Sequence, residues 1–220
     1  MTGLPARLLD GYAAFAAGRL STERSRYSEL AETGQRPEIM VVGCCDSRCA
    51  PETVFDAGPG ELFVVRNVAN LVPPYAPDGE YHSTSAALEF GVMGLKVKHI
   101  VVLGHGRCGG IRAFREPGAE PLSPGDFIGK WITLIEPAAK ALACLPLDPG
   151  DDPQTALERA SIRHSLANLR TFPCVAELER RGRLALHAAW FDISTGALEV
   201  LDQASGTFAP ATPPGAVPAG

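Results

Sequence analysis

The sequence has no run of about 18 apolar residues, the length that a helix needs to span a membrane. Its N-terminal apolar stretch is interrupted by Asp10 and Arg19, so we expect no signal peptide. An excess of positive charge is also missing, because the 220-residue chain has a formal net charge of −5. Proteins that bind nucleic acids are usually basic. The sequence therefore predicts a protein that binds neither membranes nor nucleic acids.

Charged residues are scarce as well, at 20% of the chain against about 25% in an average protein. This shortage favours a surface that is partly buried against another subunit. Hydrophobic residues reach 45%, which suffices for a core and excludes general disorder. A protein without a signal peptide stays by default in a reducing compartment, where disulfides are rare. We therefore expect a cytoplasmic protein. The six cysteines are Cys44, Cys45, Cys49, Cys108, Cys144 and Cys174.

Short apolar runs bounded by proline or glycine predict buried strands at 39–42, 62–65 and 99–103. Apolar periodicity and capping residues predict helices in the segments around these strands. Strands that alternate with helices are typical of an α/β domain with a mostly parallel central sheet and helices on its faces. The predicted helices cover 4–17, 23–31, 83–95, 108–115, 126–143, 153–170 and 172–181.

The C-terminal part of the chain has a different pattern. Residues 183–202 contain two β-prone runs around a turn at 194–196, which predicts a β-hairpin at the edge of the sheet. We predict an N-terminal helical arm at 1–36, a single α/β domain at 37–202 and a Pro/Ala/Gly-rich tail at 203–220 with little structure of its own.

Two of the predicted strands end in loops that carry cysteine or histidine, at 43–48 and 104–108. Ligands of parallel sheets bind at the carboxyl ends of the strands, so these loops are the candidate site. A nucleotide site is one interpretation, because residues 104–109 match G-x-G-x-x-G. The sequence that follows has neither the second strand with its acidic end nor a Gly-Lys-Ser/Thr, and this context disfavours a nucleotide.

A reactive thiol is the second interpretation. Cys44 and Cys45 are adjacent, and adjacent cysteines rarely form a disulfide of good geometry. A thiolate of Cys108 at a helix N-terminus would have a lowered pKa, but the sequence offers it no obvious partner.

A metal site is the third interpretation. His105 and Cys108 can bind one ion, and Cys44 lies at the end of another predicted strand. Two thiolates and an imidazole suit Zn²⁺, and three protein ligands leave a fourth position for catalysis. Asp46 and Arg48 can point the same way in an extended segment, where the guanidinium would keep the carboxylate ionised. The pair is then either a partner of a zinc-bound water or an ordinary salt bridge that fixes a loop.

Four segments in this order together resemble the β-class carbonic anhydrases. The resemblance spans about residues 5–202, and the segments are Gly-Cys-Cys-Asp-Ser-Arg at 43–48, Pro-Gly-Glu at 59–61, Arg-Asn-Val-Ala-Asn at 66–70 and Gly-His-Gly-Arg-Cys-Gly-Gly at 104–110. It implies a zinc enzyme, with one Zn²⁺ per subunit, that converts CO₂ to bicarbonate and a proton. Cys44, His105 and Cys108 are the implied ligands, and Asp46 and Arg48 the implied pair that orients a zinc-bound hydroxide.

The resemblance also implies a substrate pocket and an assembly. Gln35 and Phe63 match pocket residues of the plant-type enzymes, in which the glutamine reaches across a dimer interface. Phe90 stands where those enzymes have tyrosine, Gly109 matches a main-chain donor to substrate, and Val68 is expected to complete an apolar pocket with the two phenylalanines. The implied assembly is a homodimer or a dimer of dimers, with helix 4–17 against the partner.

The motifs do not separate CO₂ hydration from hydrolysis of carbonyl sulfide (COS) or carbon disulfide. A zinc-binding or nucleotide-binding protein without enzymatic activity is a further alternative, against which the Asp46–Arg48 pair argues.

Overall fold

A six-stranded sheet forms the centre of the computed structural model, which describes residues 3–78, 82–116, 118, 120–144 and 152–212. The spatial order of its strands is β2-β1-β3-β4-β5-β6. The first four strands run parallel and the last two pair antiparallel, which confirms the predicted α/β class. The strands are β1 (Ile39–Cys44), β2 (Leu62–Asn67), β3 (His99–His105), β4 (Ala185–Phe191), β5 (Leu198–Asp202) and β6 (Thr207–Pro210).

Helices occupy most of the remaining described chain. A short 3₁₀ turn at Val68–Asn70 follows β2 directly. Two N-terminal helices precede the sheet, and the others connect or follow its strands. They are α1 (Ala6–Ala17), α2 (Arg19–Thr33), α3 (Pro51–Val54), α4 (Ser83–Glu89), α5 (Gly109–Arg115), α6 (Phe127–Ile132), α7 (Glu136–Leu142), α8 (Pro153–Leu169) and α9 (Pro173–Arg180).

The main core lies on one face of the sheet, where α8 packs against β3 and β4. Side chains of a strand alternate between its two faces, so Met40 and Val42 of β1 and Ile100 and Val102 of β3 all enter this core. Each of these four side chains is completely buried. Their burial fixes the register of the parallel strands and with it the positions of the strand ends.

The opposite face of the sheet is only partly covered by the described chain. Its apolar residues are half-buried around a small centre of Val41, Leu103 and Ala189. Neither α1 nor α2 contains a buried residue, although Phe15 and Tyr27 pack edge to face between these two helices. Leu8, Leu9 and Tyr12 of α1 are exposed.

Three segments differ from the sequence prediction. The helix predicted at 83–95 changes at Phe90 into a π-helical turn, Phe90–Leu95. The helix predicted at 126–143 is divided by a 3₁₀ turn, and α7 begins afresh with Pro137 in its first turn, where the missing N–H of proline is tolerated. The predicted helix at 23–31 is longer, as α2 shows.

The C-terminal end also departs from the prediction. The hairpin of β4 and β5 forms, but β6 adds to β5 and becomes the edge of the sheet. A tail with little structure is therefore wrong for Thr207–Pro210, while 213–220 of that tail and 1–2 of the arm lie outside the described residues. Of the described helices, none is both long and apolar enough to cross a membrane.

Candidate metal centre

The carboxyl ends of β1 and β3 bring the predicted ligands together. Cys44 is the last residue of β1 and His105 the last of β3, and these strands are neighbours in the sheet. Cys108 follows as the N-cap of α5. A possible ligand atom from each of the three residues lies within 4.8 Å of the others. All three residues are buried, with exposed fractions of 5%, 1% and 1%.

The hydrogen bonds of this cluster leave ligand atoms free for a cation. His105 Nδ1 lies 2.9 Å from Gly106 O, and because a carbonyl only accepts, Nδ1 carries a proton and Nε2 is the nitrogen left to bind a metal. His105 Nε2 is buried and has no hydrogen-bond partner among the described residues. Two thiols and an imidazole nitrogen are common Zn²⁺ ligands, so the residues present fit a zinc ion.

The electrostatics of the cluster favour positive charge between its side chains. A hydrogen bond from the Cys108 thiol lowers the pKa of Cys44 to about 4, against the opposing effect of burial. The same contact raises the pKa of Cys108. Burial lowers the pKa of His105, but interactions with Cys44 and Cys49 outweigh it and raise the value to about 10. A bound dication would replace these protons.

The main chain around Cys44 supports a thiolate. The N–H groups of Asp46 and Ala69 point to Cys44 Sγ at 3.4 and 3.3 Å. Arg66 donates to the carbonyls of Cys44 and Asp46 at 2.8 and 2.7 Å, which fixes the loop after β1. The sequence predicts no role for Arg66 or Ala69, although both lie in the motif at 66–70.

Asp46 and Arg48 form the predicted pair beside the cluster. Arg48 Nε and Nη2 donate to the two carboxylate oxygens of Asp46 at 2.9 and 2.6 Å, and the Arg48 main-chain N–H adds a contact of 3.0 Å. The Arg48 side chain therefore holds the pKa of Asp46 well below its usual range. Asp46 Oδ2 lies 4.0 Å from His105 Nε2, so the carboxylate faces the same space as the ligand atoms.

Val68 and Gly109 also lie at the metal site. A Cβ on Gly110 would come within 2.8 Å of Val68 Cγ1, and Trp131 Nε1 donates to Val68 O at 2.8 Å. Gly109 follows Cys108 in the chain, and a Cβ on Gly109 would meet no atom within 4 Å.

The first two glycines of the 104–109 segment allow close packing of the metal loop. A Cβ on Gly104 would collide with Ile162, and one on Gly106 would lie 3.1 Å from Trp190 Cζ2. His105 and Cys108 of this segment belong to the buried cluster. This arrangement accounts for the motif without a nucleotide.

Gln35, Phe63 and Phe90 do not reach the metal cluster of their own chain. Phe63 pairs with Met40, four residues before Cys44, which is about 13 Å along an extended strand. Phe90 packs on Phe63 with ring centroids 5.8 Å apart, and the exposed Gln35 precedes β1 at the opposite end of the sheet. Phe63 and Phe90 therefore lie far along the strands from Cys44 of their own chain, and the predicted pocket of Phe63, Phe90 and Val68 stays a prediction.

Comparison with known proteins points to one family. The family model described as "Carbonic anhydrase" matches residues 39–198. Beta carbonic anhydrase 5 of Arabidopsis thaliana is 38% identical over 82% of this chain, and the chain spans 59% of that protein's length. A carbonic anhydrase of Pseudomonas aeruginosa is 36% identical over 91% of this chain and 89% of its own.

Solved structures agree with these sequence matches. The β-carbonic anhydrase CcaA superposes with a TM-score of 0.81 at 27% identity, covering 94% of this chain and 91% of its own. A chain from the crystal structures of two tetrameric β-carbonic anhydrases of Sordaria macrospora superposes with a TM-score of 0.72 at 28% identity. The match covers 94% of this chain and 98% of that one. Together with the Cys-His-Cys cluster, these matches show that the chain belongs to the β-carbonic anhydrase family.

Proposed function

We propose that the protein catalyses the reversible hydration of CO₂ to bicarbonate and a proton. The observation that carries this proposal is the buried cluster of Cys44, His105 and Cys108 beside a carboxylate that Arg48 fixes. Zinc held by these three side chains would supply a Lewis acid that lowers the pKa of water toward neutrality. The described residues around the cluster then have to orient water, admit CO₂ and release an anion.

Asp46 orients the attacking water. Because its pKa is held below the usual range, its carboxylate is ionised at neutral pH and can only accept hydrogen bonds. Oδ1 accepts from Arg48 Nε and from the Arg48 main-chain N–H, whereas Oδ2 accepts only from Arg48 Nη2 and retains a further lone pair. A water near His105 Nε2 would donate to Asp46 Oδ2 and thereby direct its own lone pair toward CO₂.

Arg48 determines where this carboxylate points. Its Nη2 also donates to Arg107 O at 3.3 Å, so the guanidinium links the loop after β1 to the loop after β3. This second contact keeps the carboxylate turned toward Arg48. Asp46 therefore serves as a hydrogen-bond acceptor beside the metal ligands. Without Arg48, its carboxylate could bind the metal in place of water.

Val68 suits the uncharged substrate, and Gly109 suits the anionic product. CO₂ is uncharged, and the apolar side chain of Val68 offers it a contact beside Cys44. The product is an anion, for which the main-chain N–H of Gly109 at the beginning of α5 is a suitable donor.

The first experiment measures zinc content and stopped-flow CO₂ hydration of the wild type and of the Cys44→Ser and Asp46→Asn variants. Cys44→Ser should lose zinc and activity, whereas Asp46→Asn should keep zinc and lose activity. Cys144→Ser, at an exposed thiol, is the control that should retain both. Full activity of Cys44→Ser and Asp46→Asn would refute the mechanism. Hydrolysis of COS and carbon disulfide, assayed in parallel, decides whether either is the better substrate.

We also propose that a second copy of the chain completes the site. Gln35, Phe63 and Phe90 are too far along the sheet to serve the cluster of their own chain, and Phe90 is 53% exposed. The exposed apolar side chains of α1 and the partly covered face of the sheet are apolar surfaces of the kind that a second subunit would bury. The half-buried residues of that face are Ile39, Leu62, Val64, Val101, Phe191 and Leu198.

Mixing two inactive variants tests this assembly. Gln35→Ala would damage the contributed half of the pocket and Cys44→Ser the metal half. In a mixed dimer one site carries both defects and the other carries neither, so unfolding and refolding the two variants together should restore activity that neither has alone. Light scattering should show a dimer or a multiple of it. An active monomer, or no recovery in confirmed mixed dimers, would contradict the proposal.

A cytoplasmic location remains part of the proposal. All six cysteines are free, including the exposed Cys45 and Cys144, as is usual in a reducing compartment. Fractionation of the producing cells, with detection by antibody, would test it, and recovery outside the cytoplasm would refute it.

A further inference from the structure

The main chain of Cys108 is bound on both sides by two residues of α8. Its N–H donates to Glu158 Oε1 at 2.8 Å, and its carbonyl accepts from Gln154 Nε2 at 3.1 Å. Gln154 Nε2 also donates to Glu158 Oε1 at 2.8 Å. Glu158 and Gln154 are four residues apart and share one face of the helix. They therefore act as one unit on the peptide groups of a metal ligand.

Glu158 is a buried carboxylate whose partners are all donors. Its exposed fraction is 2%, and Trp190 Nε1 donates to its second oxygen at 3.1 Å. Both oxygens thus accept, one from Cys108 and Gln154 and the other from Trp190 of β4. A buried carboxylate is costly unless its hydrogen bonds are satisfied, so a residue of this kind at a ligand loop requires an explanation beyond helix packing.

The supports of Glu158 are themselves fixed. Trp190 of β4 is in register with Gly104 of β3, and the Arg159 guanidinium lies 4.8 Å from the Trp190 ring centroid. On the other side, Arg115 Nη1 donates to Gln154 Oε1 at 3.1 Å. That contact orients the Gln154 amide so that its nitrogen faces the Cys108 carbonyl and Glu158.

We propose that Glu158 is a positioning residue for the metal centre, which fixes Cys108 Sγ relative to His105 through the Cys108 main chain. The proposal rests on the proposed zinc function. Between the two ligands the chain turns at Arg107, whose φ of 56° is unusual for a residue other than glycine. The ligand spacing therefore depends on anchors outside the loop, and Glu158 is the buried anchor that joins the loop, α8 and β4.

Glu158→Gln is the sharpest substitution, because it keeps the size of the side chain. The amide has one acceptor oxygen, and its NH₂ group would face either the Cys108 and Gln154 donors or the Trp190 donor. In either orientation at least one N–H···O contact is lost, and the NH₂ group of the glutamine faces another N–H donor. Trp190→Phe keeps an aromatic ring but removes the donor to Glu158 together with part of the ring volume, so it tests the same network from its far side.

The measurements are Zn²⁺ affinity, by competition with a chromophoric chelator, and the absorption spectrum of the Co²⁺-substituted protein. We expect Glu158→Gln to lose roughly 10- to 100-fold in Zn²⁺ affinity and to shift the Co²⁺ bands, and Trp190→Phe to show a smaller loss. The control is Ser165→Ala on the same helix, which removes the hydroxyl that accepts from the Val72 N–H at 3.2 Å. It should lower thermal stability without changing either metal readout.

Both metal readouts are independent of the reaction, so a protein that binds zinc through this network but does not hydrate CO₂ would overturn only the proposed function. Wild-type Zn²⁺ affinity and an unchanged Co²⁺ spectrum in Glu158→Gln would refute the positioning role. So would equal losses in Ser165→Ala, since these would reflect general destabilisation. If Glu158→Gln does not fold, Trp190→Phe and Gln154→Met decide the question by the same measurements.

Discussion

Replacement of Arg48 by lysine is the most direct test of the Asp46–Arg48 pair. Arg48→Lys keeps the positive charge but loses the planar fork that binds both oxygens of Asp46 at 2.9 and 2.6 Å. The main-chain N–H of residue 48, at 3.0 Å from Asp46 Oδ1, remains in the variant. The substitution therefore removes the orientation of the carboxylate while its charge is retained.

The size of the effect follows from the geometry and the exposure of the pair. A hydrogen bond to a charged group contributes about 1.5–3 kcal/mol, and lysine can replace one of the two side-chain contacts. The side chains of Arg48 and Asp46 are 52% and 16% exposed, so solvent screening reduces the energy of the lost contact. If this energy acts in the transition state, kcat/KM should fall roughly 5- to 30-fold.

Stopped-flow CO₂ hydration at neutral pH, together with zinc analysis of the same samples, measures this loss. Arg112→Lys is the matched control, because the Arg112 side chain is 73% exposed and lies 3.8 Å from Glu116, and its activity should not change. Unchanged kcat/KM in zinc-loaded Arg48→Lys would refute the orienting role. A loss explained by zinc content alone would reassign Arg48 to metal retention.

Three further predictions concern the metal loops and the helix behind them. Gly110→Ala would place Cβ 2.8 Å from Val68 Cγ1 and 3.0 Å from Ala69 Cβ. The substitution should displace the Ala69 N–H from Cys44 Sγ and weaken Zn²⁺ binding, as measured by chelator competition. Wild-type Zn²⁺ affinity would contradict this prediction. Asp152→Ala removes the N-cap of α8 and should lower the free energy of unfolding by about 1 kcal/mol. Hydrogen bonds, chiefly from the Thr155 main chain, lower the pKa of Asp152. The difference in free energy of unfolding between wild type and variant, measured by urea titration, should therefore be full at pH 7 and shrink as the pH falls below about 4. A difference that grows as the pH falls would contradict this prediction. Removal of metal by dialysis against a chelator should lower Tm reversibly, because zinc binds the folded chain, and an unchanged Tm would show that the cluster binds no metal.

The metal ligands could be predicted from the sequence because their arrangement depends on few steps. Cys44 and His105 each end an apolar strand run, and parallel strands place such ends at a common edge. Cys108 follows within one turn. The match with a known family then assigned these roles by position, and the structure places the three side chains within reach of one ion.

The supports of the site could not be predicted in this way. Glu158 lies 50 residues after Cys108, and the sequence pattern of α8 does not distinguish it from an exposed glutamate. The distance of Phe63 from the cluster depends on the register with β1, which a single apolar run does not determine. The strand β6 was missed because it is short and ends in Pro210, and proline is usual only at sheet edges.

Backbone strain explains why the metal site needs so many anchors. Ala69, Asn70 and Arg107 have φ of 65°, 48° and 56°, and each such conformation costs of the order of 1–3 kcal/mol. Ala69 thereby directs its N–H to Cys44 Sγ, and the turn at Arg107 separates the two ligands of the second loop. Such turns persist only where their surroundings fix them, as Trp131 does beside Ala69 and Glu158 beside Arg107. The cost of ordering the ligands is therefore met during folding, before any metal binds, and the buried anchors are as much a part of the centre as its three ligands.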